Sequence, residues 1–153
     1  HLVLSTLHTN DAVGTTIRLV DMGIERFLIA SSLIGVVAQR LVRKICEKCK
    51  QAYEPEAVSL EDIGLSKQDA TTFYRGAGCQ HCFGTGYSGR VGLYEILTVT
   101  PEISDAILKD VGVNEIKQLA TKQGMRFLRQ DGIEKVKQGL TTIEEVLRVT
   151  KEV

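Results

Sequence analysis

CQHCFGTGYSGRVGLYEIL, residues 79–97, joins a cysteine knuckle to a strand. Cys79 and Cys82 stand two residues apart, and glycines follow at 84, 86 and 89. Two thiolates at that spacing chelate from one tight turn. Gly84 and Gly86 let the backbone fold over a metal with amides facing the sulfurs. The second half continues as RVGLYEILTV at 90–99, which reads as a strand returning to a core.

The same spacing occurs upstream in CEKC, Cys46 and Cys49, with 29 residues between the two pairs. Two such pairs complete a tetrahedral four-thiolate site, so Cys46, Cys49, Cys79 and Cys82 are the expected metal ligands. Zinc suits them because its geometry is undemanding and its affinity for thiolate is high. A site with all four positions filled is structural and leaves no position open for catalysis. Ordinary free thiols and a redox dithiol are the competing readings. No thioredoxin-like βαβ pattern surrounds either pair, and a secreted disulfide scaffold would carry more cysteines in a shorter chain. His81 would be a fifth ligand for a four-coordinate site, and it reads as a solvated side chain.

Working outward, residues 46–89 form one cysteine-bearing segment. Its polar middle, EPEAVSLEDIGLSKQDATT at 54–72, is expected to include a short helix. Beyond the 90–99 strand the chain is helical, so 100–153 is expected as a small all-α subdomain. PEISDAILKD starts it with proline in the first turn, and further helices end at Gly124 and Gly139. Thr141-Thr142-Ile143-Glu144 has the form of a capping box before IEEVLRVT.

Residues 1–45 read as α/β. HLVLST is nearly continuous in its apolar character, as expected of a strand covered on both faces. Thr9, Asn10 and Asp11 are good N-caps for AVGTTIRLVDMG, which Gly23 would stop. A second helix is expected over about 25–34 and a strand over 36–45. If HLVLST is a parallel strand, its carboxyl end delivers Ser5, Thr6, His8, Thr9 and Asn10 to the edge where α/β sheets bind ligands. A lone histidine there is more often a hydrogen-bonded structural residue. No G-x-x-x-x-G-K-[ST] occurs, so this stretch cradles no triphosphate in the P-loop manner. Starting without Met and inside an apparent core strand, the chain is expected to be a piece of a longer protein.

The 153 residues carry 19 basic and 19 acidic side chains, for a net charge of zero. The whole-chain footprint of a nucleic-acid binder is missing, and aromatics for base stacking are sparse. Arg40, Arg43, Lys44, Lys48 and Lys50 cluster around the first knuckle and read as a solvated face. The longest apolar stretch, FLIASSLIGVVA at 27–38, is short of the roughly 20 residues a bilayer span needs.

HLVLSTLHTNDA closely resembles the histidine box of the ATPases that drive type II secretion and type IV pilus assembly. AQRLVRKICEKC, CQHCFGTGYSGRVGLYEIL, GMRFLRQDG and GLTTIEEVLRVT resemble successive later stretches of that family. The four cysteines separate the chain from pilus-retraction relatives. The resemblance implies the C-terminal part of a RecA-like core over 1–45, a zinc subdomain over 46–89, a strand returning to the core over 90–99 and a helical subdomain over 100–153. It implies a hexameric ring that hydrolyses ATP with Mg at the cytoplasmic face of a bacterial inner membrane. The implied partners are platform and assembly proteins of the machine, and nucleic acid is not among them. His8 and His1 would contact or sense the γ-phosphate with Thr6 beside them. Arg18 and Arg90 would lie at the nucleotide or a ring interface. The phosphate-binding lysine and metal-binding carboxylates would lie upstream, leaving this stretch inactive alone.

Two rival readings stand beside it. One is a self-standing zinc-binding interaction module. The other rests on C-x-x-C-x-G-x-G at 79–86, which is similar to the cysteine-rich repeat of J-domain co-chaperones. That repeat comes in several copies, and the first pair here lacks the glycines.

Overall fold

Helix signals at the start of the chain act as their chemistry dictates. In the computed structural model, which describes residues 1–56, 61, 63–64 and 72–150, helix α1 spans Ala12–Asp21. Asp11 is extended at its N-cap and its carboxylate accepts from the Gly14 amide. Met22 closes the helix, and Gly23 at φ +87° takes the left-handed position that a side chain disfavours. Helix α2 (Arg26–Ser32) follows, then strand β1 (Gly35–Ile45), β2 (Lys50–Tyr53), β3 (Phe73–Gly76), a 3₁₀ turn (Gln80–Cys82) and β4 (Tyr87–Thr98). Helices α3 (Pro101–Leu108), α4 (Val113–Lys122), α5 (Leu128–Lys137) and α6 (Ile143–Thr150) complete the described chain.

These elements belong to two compact units, one of His1–Ala38 with Tyr94–Phe127 and one of Gln39–Leu93 with the chain from Leu128 onward. Strands β1 and β4 pair with each other. They run antiparallel, since Val99 N donates to Ile34 O (3.0 Å) at one end and Cys46 N to Gly86 O (2.9 Å) at the other.

In the first unit, α1, α2, α3 and α4 close over one core. Val13, Ile29, Leu97, Ile103, Ile107 and Ile116 are its largest buried side chains. Pro101 occupies the first turn of α3, where its missing N–H costs nothing, and Thr100 caps the helix by accepting from Ile103 N. The N-terminus of α1 is satisfied by an acidic residue from β4. Ala12 N donates to Glu95 Oε1 at 2.9 Å, and Glu95 is 2% exposed. Lys117 on α4 pairs with Asp11 at 3.0 Å.

The second unit is built around Val42, Phe73, Leu93, Val136, Ile143 and Val146. β2 and β3 pair antiparallel in the register Lys50 to Gly76 through Tyr53 to Phe73. Helices α5 and α6 approach closely at Gly132, where a Cβ would come within 2.5 Å of Val146 Cγ1.

Two expectations change. HLVLST forms no strand: residues 1–8 are exposed, with Leu2, Val3 and Leu4 at 76%, 78% and 89%. A strand needs a neighbour's amides and carbonyls, and the sheets among the described residues are β1 with β4 and β2 with β3. The helical tail also divides, α3 and α4 packing in the first core and α5 and α6 in the second. Each half of its apolar pattern finds a different set of strand residues to cover. The expected helix over 54–72 falls largely outside the described residues.

No helix among the described residues is long and apolar enough to cross a membrane.

Candidate metal centre

The first cysteine pair sits where β1 ends, and the second begins the 3₁₀ turn before β4. Cys49 N donates to Cys46 O at 3.2 Å, which tightens the first knuckle. In the second, Cys79 and Cys82 cap the turn reciprocally, each side chain accepting from the other's amide, with Cys79 N to Cys82 Sγ at 3.2 Å. The turn leaves through Phe83 (φ +52°) and Gly84 (φ +77°), so the chain reverses direction immediately after the sulfur. Gly84 N then donates to Cys79 O at 2.9 Å.

Backbone hydrogen bonds hold the two knuckles face to face. Ala77 N donates to Cys49 O and Cys46 N to Gly86 O, both at 2.9 Å. Gly76 and Gly86 meet with no side chain between them, and a Cβ on Gly86 would lie 2.6 Å from Gly76 O. This crossing brings the sulfurs of Cys46 and Cys79 to 3.9 Å, of Cys49 and Cys82 to 3.8 Å, and of Cys79 and Cys82 to 3.7 Å. All four lie within 4.8 Å of one another, a grouping that can hold one metal ion.

The thiols of the cluster differ in their electrostatics. Burial opposes a thiolate at Cys82, yet the Cys79 and Gly86 amides and the neighbouring thiols outweigh it and bring Cys82 down to about 6. At Cys49 burial dominates over the single Gly78 amide, and with the other thiols it pushes that group up to about 12. Four sulfurs this close cannot all carry charge unless a cation sits among them. Gly86 N, 3.3 Å from Cys82 Sγ, is the kind of amide donor that steadies a metal-bound thiolate.

His81 is exposed beside Ser88 (3.4 Å), as expected of a solvated side chain. Of the other sequence-derived candidates, His1, Thr6 and His8 lie on the exposed first segment and Arg18 is exposed on α1. Arg90 is exposed on β4 in the second unit and makes no ion pair among the described residues. The structure gathers the four cysteines.

Arg43 departs from the solvated reading given to its cluster. Its amide and guanidinium both donate to Glu145 at 2.8 Å, and its guanidinium stacks 4.1 Å from the centre of the Tyr87 ring. Arg148 adds two bonds to the same carboxylate, Nε at 3.1 Å and an Nη at 2.9 Å. Glu145 is 1% exposed. Burial disfavours its charge, but the two arginines prevail and hold its carboxyl at about 2. The pairing joins residues far apart in sequence, so spacing could not reveal it. The one available signal was the capping pattern, and it is displaced by a residue. Thr142 caps α6 by accepting from Glu145 N (3.4 Å), while Thr141 donates to Arg43 O (2.8 Å).

Fold and site together define a mixed α/β protein with a paired-knuckle, four-cysteine centre. The chain belongs to the Type II/IV secretion system protein family, whose model matches residues 1–148. It is 48% identical over 154 aligned positions to the type IV pilus assembly ATPase PilB of Thermus thermophilus, covering 99% of this chain and 17% of that protein. It is 46% identical over 152 positions to the type II secretion system ATPase E of Vibrio cholerae, covering 99% of this chain and 30% of that one. The chain thus spans less than a third of the length of these relatives. A crystal structure of the pilus retraction motor PilT with bound ADP shares the fold, with a TM-score of 0.61 and 24% identity, covering 99% of this chain and 33% of PilT.

Proposed function

We propose that this chain is the C-terminal portion of an ATPase that powers type II secretion or type IV pilus assembly, and that its four cysteines hold a structural zinc ion. The observation that carries the reading is the family match over nearly the whole chain, with relatives of 46–48% identity named as such ATPases. The thiol cluster supports zinc by donor chemistry: four soft sulfurs within 4.8 Å suit a tetrahedral, redox-inert ion. In the whole protein, Mg and ATP bind a RecA-like core supplied chiefly by residues outside this stretch. Subunits assemble as a hexameric ring at the cytoplasmic face of the inner membrane and act on the platform and assembly proteins of the machine.

His8 and His1, with Thr6 beside them, supply the γ-phosphate-sensing edge, and Arg18 and Arg90 serve the nucleotide or a ring neighbour. Exposure of all five in this stretch is compatible with partners contributed by the rest of the protein or by an adjacent subunit. The 153 residues alone hydrolyse no ATP, because no phosphate-cradling loop is among them.

The test is steady-state hydrolysis by the full-length protein and its His8→Ala variant. A fall in kcat of tenfold or more with the ring intact supports the assignment, while unchanged kinetics removes His8 from it. Turnover by the isolated 153-residue chain would contradict the division of labour.

A further inference from the structure

The turn Gly139–Thr142, between α5 and α6, touches the chain beside both cysteine pairs. Ile45, the residue before Cys46, donates its amide to Leu140 O at 2.9 Å. Gly139 lies against Lys50, the residue after Cys49, so closely that a Cβ there would stand 2.9 Å from Lys50 Nζ and 2.7 Å from Tyr74 Cδ2. Thr142 Oγ1 and the Tyr87 hydroxyl are 3.0 Å apart. Tyr87 in turn follows Gly86, whose amide reaches Cys82 Sγ and whose carbonyl accepts from Cys46 N.

The Thr142 hydroxyl therefore has two duties. It caps α6 by accepting from Glu145 N, and it anchors the residue that follows the sulfur-bonded glycine. Glu145, the third residue of α6, bonds Arg43, whose guanidinium stacks on the Tyr87 ring. Thr142 and Glu145 thus tie the start of α6 to Tyr87 and Arg43, beside the chain that positions the sulfurs.

We propose that the cysteine centre and helix α6 are thermodynamically linked, with the Gly139–Thr142 turn as the coupling element and Tyr87 and Thr142 as its positioning residues. Metal binding then fixes α6 in place, and a seated α6 raises metal affinity by the same factor. In the whole protein, loss of metal would release helix α6. This rests on the metal reading above.

The test uses the whole 153-residue chain and zinc. Zinc affinity is measured by competition with a chromophoric chelator, and hydrogen exchange over 143–150 is measured with zinc loaded and after chelation. Tyr87→Phe deletes one hydroxyl and leaves the cap intact. It is expected to weaken zinc about tenfold, within the usual range of coupling between sites, and to speed exchange in α6 of the zinc-loaded chain. Ile133→Val, a small change in the same core, serves as the control for general loosening and should leave zinc affinity within twofold. Zinc affinity unchanged in Tyr87→Phe, with α6 exchange indifferent to chelation, overturns the linkage while the metal reading stands. A chain that binds no zinc overturns both.

Discussion

Glu145 of α6 and Arg43 of β1 are joined by two 2.8 Å hydrogen bonds, one from the Arg43 amide and one from its guanidinium. The carboxylate is all but sealed from solvent, whereas the guanidinium side chain is half-exposed at 51%. The asymmetry decides which partner matters more. Arg43 can be rehydrated, and a carboxylate that loses its donors inside the protein cannot.

Glu145→Gln keeps the volume but removes the charge that both arginines address. We expect a loss of about 3 kcal/mol from the second unit, the low end for one member of a buried pair because both arginines reach water. Urea denaturation followed by circular dichroism measures it. A midpoint equal to that of the parent chain would show the network to be neutral.

The same carboxylate sets an acid limit. Its folded value of about 2 lies below its ordinary 4.5, so the charged form is favoured by folding. Its contribution is complete above pH 4.5 and is lost as pH falls toward 2. Stability of the second unit should decline over that interval, and the decline should be shallower in Glu145→Gln. Identical slopes for the two chains would assign acid sensitivity to other groups.

With a metal held by the four cysteines, chelation should expose the two units unequally. Limited proteolysis after metal removal is expected to cut within 39–93 and after 128. It should spare 12–38 and 94–127, whose core of Ile29, Leu97, Ile103, Ile107 and Ile116 contains no metal-dependent element. A digestion pattern unchanged by chelation would remove the structural role.

Gly132→Ala should destabilise the second unit by about 1–3 kcal/mol, the usual cost of overpacking. The added methyl meets Val146 Cγ1 at 2.5 Å and Leu93 Cδ1 at 3.2 Å. Adding Val146→Ala should restore part of the loss by opening that space. Thermal melts of the single and double variants test the pair, and strictly additive effects would place the clash elsewhere.

Asp11→Ala removes the cap of α1 and the partner of Lys117 together. Capping dominates the expected loss of about 1 kcal/mol, since a partly exposed ion pair adds little. Asp11→Asn should recover most of it, and raised salt should leave it nearly unchanged. A loss that salt abolishes would mean the ion pair was the larger contribution.

Local signals survived folding well. Asp11, Thr100, Pro101, Gly124 and Gly139 mark helix ends because capping and backbone handedness are decided within a few residues. The cysteine spacing disclosed a chelating cluster for the same reason: each knuckle is local, and four thiols have few alternative uses. What spacing could not disclose is pairing at a distance. Arg43 looked like one cation among five until a carboxylate 102 positions away claimed it. Glu95 looked like an ordinary strand residue, though its position on β4 delivers it to the amide of Ala12. HLVLST has the composition of a buried strand, but pairing requires a neighbour that composition cannot name. Tail helices with similar apolar periodicity were separated by which strand residues they cover, a choice that periodicity does not encode.

The meeting of Gly76 and Gly86 carries a consequence for how this part of the chain can vary. Neither residue offers a donor atom to a metal, and neither fills a core, yet every side chain larger than hydrogen is excluded where the backbones cross. In a library of all single substitutions, these two positions should tolerate as little change as the four cysteines. A homologue that had exchanged its cysteines for other residues would still need both glycines for as long as the strands cross there. Their persistence in a lineage would thus record the path of the backbone, independently of whether a metal site was kept.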